Sequence, residues 1–288
     1  MTKPLTLRHI RLLCLGWTPP PSISEWAGIQ IANPPDVKPI LIALLTLSLA
    51  SAANADDAGD CESKWNKLEK GLDYRAITCL GDTDALDVHV VRVDLDRWNL
   101  NTAVVELGTA SGVAASKDAA FAINTNFFDK ARKPMGLIVR SGEEVRSPRE
   151  SSWQSIFLVD ENDRARIIMP DTWDEYSDRA KVGVQAGPRL VVNGRVSKAT
   201  NNYRAERVGV CIQPDGDLLF FATPRDRKLH VREMARIAQR DESKGGLNCK
   251  NAMLFDGGHS VNFFAEGEDK KVSVSNGRVP VFVYATPR

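Results

Sequence analysis

The sequence predicts an α+β fold: a single domain with a mixed, largely antiparallel β-sheet core flanked by a few helices. Two observations carry this. Short β-branched runs recur along the chain between turn-forming pairs, and only a few segments have helical periodicity. The composition suits a folded globular chain. Of 288 residues, 43% are hydrophobic and 26% charged, with 38 Lys+Arg against 37 Asp+Glu and a formal net charge of +1. Disorder needs lower hydrophobicity and higher net charge. Without a charge excess there is little drive to displace counterions from a phosphate backbone, so nucleic acid is not an expected partner.

The N-terminal 55 residues read as lying outside the fold. Ile40 to Ala50 is an apolar run of about 11 residues, against the roughly 20 that a membrane-spanning helix requires. It suits the apolar region of a secretory signal, with Lys38 before it and Ala53-Asn54-Ala55 as the cleavage pattern. A buried helix of the domain is the alternative. Residues 1–36 hold Pro19-Pro20-Pro21 and Pro34-Pro35 and no sustained period. They are expected to be an untranslated or disordered extension, with translation beginning at position 37 and Val37 read as Met. The division is then 1–36 extension, 37–55 signal peptide, 56–84 N-terminal helical segment and 85–288 main domain. The expected location is periplasmic or secreted, with no stable membrane span. Removing Lys3, Arg8, Arg11, Lys38, Glu25 and Asp36 leaves 34 basic and 35 acidic residues.

Cys14 departs with this leader, leaving Cys61, Cys79, Cys211 and Cys249. Four cysteines allow three pairings. Cys61–Cys79, closing a local loop, and Cys211–Cys249, stapling two segments beside strands, are favoured in an oxidising compartment. Four buried free thiols are the alternative. No C-x-x-C spacing signals zinc.

Along the remaining chain, Trp65, Leu68 and Leu72 have helical spacing and predict a short helix over Glu62–Leu72. Asp87–Asp94 and Leu100–Leu107 read as strands. Gly112–Ala120 is Ala-rich and reads as a helix feeding a buried strand at Phe121-Ala122-Ile123. Further strands are expected at Gly136–Arg140, Ser155–Val159, Ala165–Met169, Arg189–Val192 and Asp217–Ala222, with turns at Asn193-Gly194 and Asp215-Gly216. His230–Arg240 places Val231, Met234, Ala235 and Ala238 on one helical face. Asn251–Phe255 is a short apolar strand that stops at Asp256-Gly257-Gly258, and Val261–Ala265 and Val279–Tyr284 close the chain.

Three segments have the makings of a site. In Asn251 to Ser260, a buried strand delivers Asp256 at its end, and Gly257 and Gly258 permit close approach and offer N–H donors. His259 and Ser260 flank it. In Phe121 to Asp129, another apolar strand ends in Asn124, Thr125 and Asn126, whose groups suit sugar hydroxyls, followed by Phe127 and Phe128 as a stacking face. In Tyr203 to Cys211, Arg204, Glu206 and Arg207 precede a strand, and an arginine fork matches phosphate or carboxylate oxygens. Each segment taken alone also reads as an ordinary turn, core pair or surface salt bridge. There is no G-x-S-x-G elbow, H-E-x-x-H or P-loop, and His89, His230 and His259 are scattered. No cofactor is expected.

Taken in order, these segments resemble the phosphodiester glycosidase family. The similarity rests on Ile123-Asn124-Thr125-Asn126-Phe127-Phe128, then Pro134 to Val139 with Gly136, and Gly142. It continues in Ala186-Gly187-Pro188-Arg189-Leu190 with Asn193-Gly194, Arg207-Val208-Gly209-Val210 with Asp215-Gly216, Val231-Arg232-Glu233-Met234-Ala235, and Asn251 to Ser260. It covers roughly residues 85 to 285. Cys211 and Cys249 stand where a bacterial exported branch of the family carries cysteines, and the resemblance supports pairing them. Thr125 and Asn126 stand in place of glycines, and His259 in place of a small residue.

The resemblance implies an exported hydrolase that cleaves a glycosidic bond in sugar-1-phosphodiesters or related envelope or extracellular glycans. Its partner would be a carbohydrate or sugar phosphate. Asp256 is the expected base or electrostatic stabiliser of an oxocarbenium-like state. Arg207 with the Gly257 and Gly258 amides would hold the phosphate, and His259 would donate a proton. Asn124, Asn126, Gly136 and Ser260 would line the substrate site. A non-catalytic glycan-binding envelope protein is the alternative. A metal-dependent phosphodiesterase using Asp256 and Asp129 is another.

Overall fold

The structure, a computed structural model, describes residues 64–78, 88–198 and 203–288. The expected leader, Cys61 and Cys79 lie outside these residues. Strand is the main secondary structure among the described residues and is arranged in three main sheets. The largest has eight strands in the spatial order Asn66–Glu69, Leu72–Ile77, Val88–Val93, Leu218–Ala222, Val208–Ile212, Asn251–Leu254, Arg189–Val192 and Arg195–Val196. A five-stranded sheet runs Glu143–Arg146, Ile138–Arg140, Ala180–Ala186, Ser155–Asp160, Ala165–Ile168. Another runs Lys271–Ser275, Asn262–Glu266, Phe121–Asn124, Val279–Pro287, Trp98–Gly108. Arg204–Ala205 pairs with Leu229–His230 in a two-stranded ribbon. Every pairing among the described residues is antiparallel. The class is α+β, and its antiparallel character goes further than the mixed sheet expected.

Continuous apolar runs form these strands because both faces of the eight-stranded sheet are covered. In Leu218–Ala222 every residue is buried. Leu218, Phe220 and Ala222 join the central core, with Phe157 of the middle sheet and Phe121 and Phe263 of the C-terminal sheet. Leu219 and Phe221 face the other way, into a cluster with Met234, Ala235 and Ala238. Those three belong to helix α2 (Val231–Gln239), within the helix that the sequence predicts over His230–Arg240. Helix α1 (Ala110–Lys117) begins at Thr109, whose hydroxyl accepts from Gly112 N–H at 3.2 Å. It buries Ala110, Val113 and Ala114 with Phe264 and Phe282 on the outside of the C-terminal sheet. Among the described residues no helix is long and apolar enough to cross a membrane.

The N-terminal helix is not formed. Asn66–Glu69 and Leu72–Ile77 are a hairpin instead, turning at Gly71 with φ +82°. A Cβ at Gly71 would lie 2.9 Å from Arg97 Cδ. Leu68, Leu72 and Tyr74 gain more burial from the central core than one amphipathic turn would supply. The Trp65 ring packs against two guanidiniums, with Cζ of Arg75 at 4.8 Å and of Arg92 at 4.4 Å from its centroid. Cys211 and Cys249 form a disulfide with Cα atoms 5.5 Å apart. It ties the Val208–Ile212 strand to the residues entering Asn251–Leu254, on the face covered by α2.

Candidate active site

Backbone bonds gather the distant segments at the strand ends. Phe255 N–H donates to Val208 O at 2.8 Å, Asp256 N–H to Thr125 O at 2.8 Å, and Gly258 N–H to Glu206 O at 2.8 Å. Leu254 N–H reaches Pro188 O at 2.9 Å. The approach at Gly257 is tight, since a Cβ there would lie 2.6 Å from Glu206 O. The result is a cavity of about 730 Å³ whose lining includes Asp256, Gly257, Gly258 and His259 from one segment, and Glu206 and Arg207 from another. The carboxylate and guanidinium that the sequence selected therefore share one cavity.

Burial pushes the Asp256 carboxyl up to about 6, against the opposing pull of a hydrogen bond from Ser260. A carboxyl in that range exchanges its proton near neutrality, as an acid–base group must. Arg207 does not hold it down. The Arg207 side chain is only 4% exposed and turns to the backbone: Nε donates to Leu229 O at 2.9 Å and Nη2 to Tyr203 O at 2.6 Å. Its Cζ lies 4.9 Å from the Tyr203 ring centroid. Burial lowers its pKa, while Tyr203, Glu206 and Glu233 pull it back. Arg207 braces the cavity wall. The more exposed cations in the lining are Arg204 and Lys228. Arg204 is loosely tied, with Nη2 3.8 Å from a Glu233 carboxylate oxygen.

Several expected substrate contacts turn out to be braces. Asn124 is 1% exposed; its Nδ2 donates to Asp256 O at 2.8 Å and its Oδ1 accepts from Asn262 N–H at 2.8 Å. Asn126 is 2% exposed; its Nδ2 donates to Met135 O and Leu137 O, both at 3.0 Å, and its Oδ1 accepts from the Thr125 hydroxyl. Both amides are buried and turned to these internal partners, and neither residue is part of the cavity lining. Gly136 lies outside the cavity lining, at φ +79°, where a Cβ would meet Gln185 Oε1 at 2.6 Å. The Gly258 N–H is consumed by Glu206 and is not a phosphate donor. Ser260 acts on Asp256 rather than lining the cavity. His259 is exposed at the cavity edge on a short 3₁₀ turn. Among the described residues no three His, Cys, Asp or Glu side chains gather as metal ligands. Asp129 is spent on its own turn, accepting from Lys133 N–H at 2.9 Å.

Sequence reading missed Trp153, Tyr203 and Lys228, which all line the cavity with Phe127. Trp153 and Phe127 meet edge to face with centroids 5.5 Å apart. The available signal was an aromatic inside the polar run Ser151-Ser152-Trp153-Gln154.

The family model for phosphodiester glycosidases matches residues 117–284, which include both strand-end segments and the cavity wall between them. The chain belongs to the phosphodiester glycosidase family. The catalytic domain of zebrafish N-acetylglucosamine-1-phosphodiester alpha-N-acetylglucosaminidase, auto-inhibited by its pro-peptide, is similar in fold. Its TM-score is 0.58 at 13% identity, over 80% of this chain and 89% of that one. A hypothetical protein from Synechocystis has a TM-score of 0.54 at 14% identity, over 78% of this chain and 64% of that one, so the chain spans under two thirds of that relative. No curated protein matches the chain in sequence.

Proposed function

We propose that this phosphodiester glycosidase is an exported hydrolase that cleaves the glycosidic C1–O bond of sugar-1-phosphodiesters in envelope or extracellular glycans. The single observation that supports this most is Asp256, held at a strand end in a cavity large enough for a glycoside, with its carboxyl pushed up to about 6. The name of the zebrafish relative, an N-acetylglucosamine-1-phosphodiester hydrolase, suggests the substrate class. The leader-like N-terminus and the Cys211–Cys249 bridge fit an oxidising compartment.

In this reading water adds to the anomeric carbon and a phosphomonoester leaves. As a carboxylate, Asp256 stabilises the oxocarbenium-like transition state or takes the proton of water. Lys228 and Arg204, the accessible cations of the lining, meet the phosphate. Arg207 braces the cavity wall, and His259 stands exposed at the rim. The test is incubation of the purified protein with a panel of sugar-1-phosphodiesters, reading free sugar and phosphomonoester. Stoichiometric release of both supports the assignment. Tight binding with no product would make the protein a glycan receptor instead.

A further inference from the structure

Among the described residues the exposed large apolar side chains are Val145, Trp153 and Tyr203. Single exposed apolar residues are ordinary, but two of these three, Trp153 at 51% and Tyr203 at 55%, line the same cavity. Trp153 is exposed and yet fixed. Its backbone N–H and that of Gln154 point to the Ser151 hydroxyl at 3.4 and 3.1 Å. Gln185, fully buried, accepts from the Arg149 N–H at 2.8 Å and the Leu137 N–H at 3.0 Å. Its Nε2 donates to Arg149 O at 2.6 Å and to Gln154 Oε1 at 3.3 Å. One buried amide thus anchors the loop on both sides of the indole. Gly187 lets the strand beneath come close, since a Cβ there would lie 2.7 Å from Trp153 O.

A loop backbone fixed by a buried polar network, with the indole resting against Phe127, leaves less freedom to lose when a ligand arrives, so a partner gains the exposed face at low cost. We infer that Trp153, backed edge-on by Phe127, is the platform on which the apolar face of a pyranose ring stacks, and so a specificity determinant for cyclic sugars. The inference rests on the glycosidase reading. The cavity lining offers both chemistries such a ligand needs, aromatic side chains for the C–H groups of the ring and the cations Arg204 and Lys228 for the phosphate.

The experiment uses the full chain carrying Asp256→Asn, so that ligand survives. It titrates the methyl phosphodiester of N-acetylglucosamine 1-phosphate, a pyranosyl 1-phosphodiester, and glycerophosphoethanolamine, an acyclic phosphodiester, by calorimetry. Adding Trp153→Ala should raise Kd for the sugar diester on the order of tenfold and leave the acyclic ligand unchanged, while Trp153→Phe stays within about threefold. In the otherwise wild-type enzyme, Trp153→Ala should raise KM with kcat held. Equal sugar affinity with and without the indole would overturn the platform and leave the glycosidase reading standing. Sugar diesters that bind neither Asp256→Asn nor the wild-type chain would overturn both.

Discussion

The Asn124 side chain donates to the backbone carbonyl of Asp256 across 2.8 Å, while its own carbonyl accepts from Asn262 N–H at 2.8 Å. A single carboxamide thus locks the end of one strand to the residue that carries the acid and to the strand that follows. Asn124→Ala leaves two backbone groups without a partner, each costing about 1–3 kcal/mol when buried. The variant should lose about 2–4 kcal/mol in chemical denaturation, and kcat should fall more than tenfold with a small change in KM. A variant that unfolds like wild type would show that the bond does not fix the site.

Asp256 titrates against its own fold. Its carboxyl is raised from 3.8 to about 6 by burial, so the ionised form is the costly one. Below pH 4 the group is protonated folded and unfolded, and there is no penalty. As pH rises through 6 the folded protein bears the full cost, about 2–3 kcal/mol. Asp256→Asn removes that charge. The variant should therefore melt above wild type at pH 8, with the gap closing toward pH 4, and it should be inactive throughout. Wild-type kcat/KM should show a limb near pH 6. Melting curves that coincide at both pH values would argue against a buried carboxyl.

How much of this was readable follows from where the signals lie. Strands with apolar or β-branched runs were legible because burial on both faces favours such residues: Leu218–Ala222 has no polar residue, and Val88–Val93 is valine apart from His89 and Arg92. Ala180–Ala186 was not, because Gly183 interrupts it for a reason only packing reveals: a Cβ there would lie 2.9 Å from Val139 Cγ2. Lys271–Ser275 carries the alternation of a half-buried strand, with Val272 and Val274 inward. In the N-terminal segment, three apolar residues at helical spacing serve a hairpin equally well, and tertiary burial decided between them. The cavity residues were found as types but not as roles. Sequence shows that an asparagine can bind a hydroxyl; only geometry shows that Asn124 and Asn126 are buried and brace neighbouring chain segments.

His89 carries a second pH dependence, of opposite sign. It is buried between Tyr74, whose hydroxyl lies 2.8 Å from Nδ1, and the Phe263 ring stacked at 5.9 Å. Burial, with Lys270 adding to it, pulls the imidazole down to about 4. Neutral histidine is thus the folded form. Its contribution is complete above the unfolded value near 6.5 and is lost as pH falls from there to 4, on the order of 3 kcal/mol. Comparison of wild type with His89→Gln by urea unfolding from pH 7.5 to 4 should show a flatter profile in the variant. Parallel profiles would mean that the imidazole stays solvated.

The Cys211–Cys249 bridge spans a sequence separation of 38 residues that includes α2. Closing a loop of that length removes unfolded-state entropy worth about 4 kcal/mol. Replacing both cysteines by alanine should lower Tm by about 10 °C, and a reductant should do the same to wild type. Insensitivity to reductant would contradict the bridge.

Arg207 and Lys228 line one cavity and should fail in different ways. The Arg207 guanidinium is bonded to Leu229 O and Tyr203 O and is nearly unexposed. Arg207→Ala leaves those carbonyls without a donor and removes the cation from the Tyr203 ring, a loss of about 3 kcal/mol in stability. Lysine restores charge but not the planar fork, so Arg207→Lys should recover only part of it. Lys228 is exposed, and its truncation should change stability by less than about 0.5 kcal/mol. If Lys228 meets the substrate phosphate, Lys228→Ala should raise KM and flatten its dependence on ionic strength. Thermal melts and KM measured at two salt concentrations separate the two residues. A Lys228→Ala enzyme with wild-type KM and salt response, beside a stable Arg207→Ala enzyme with a raised KM, would return the phosphate to Arg207.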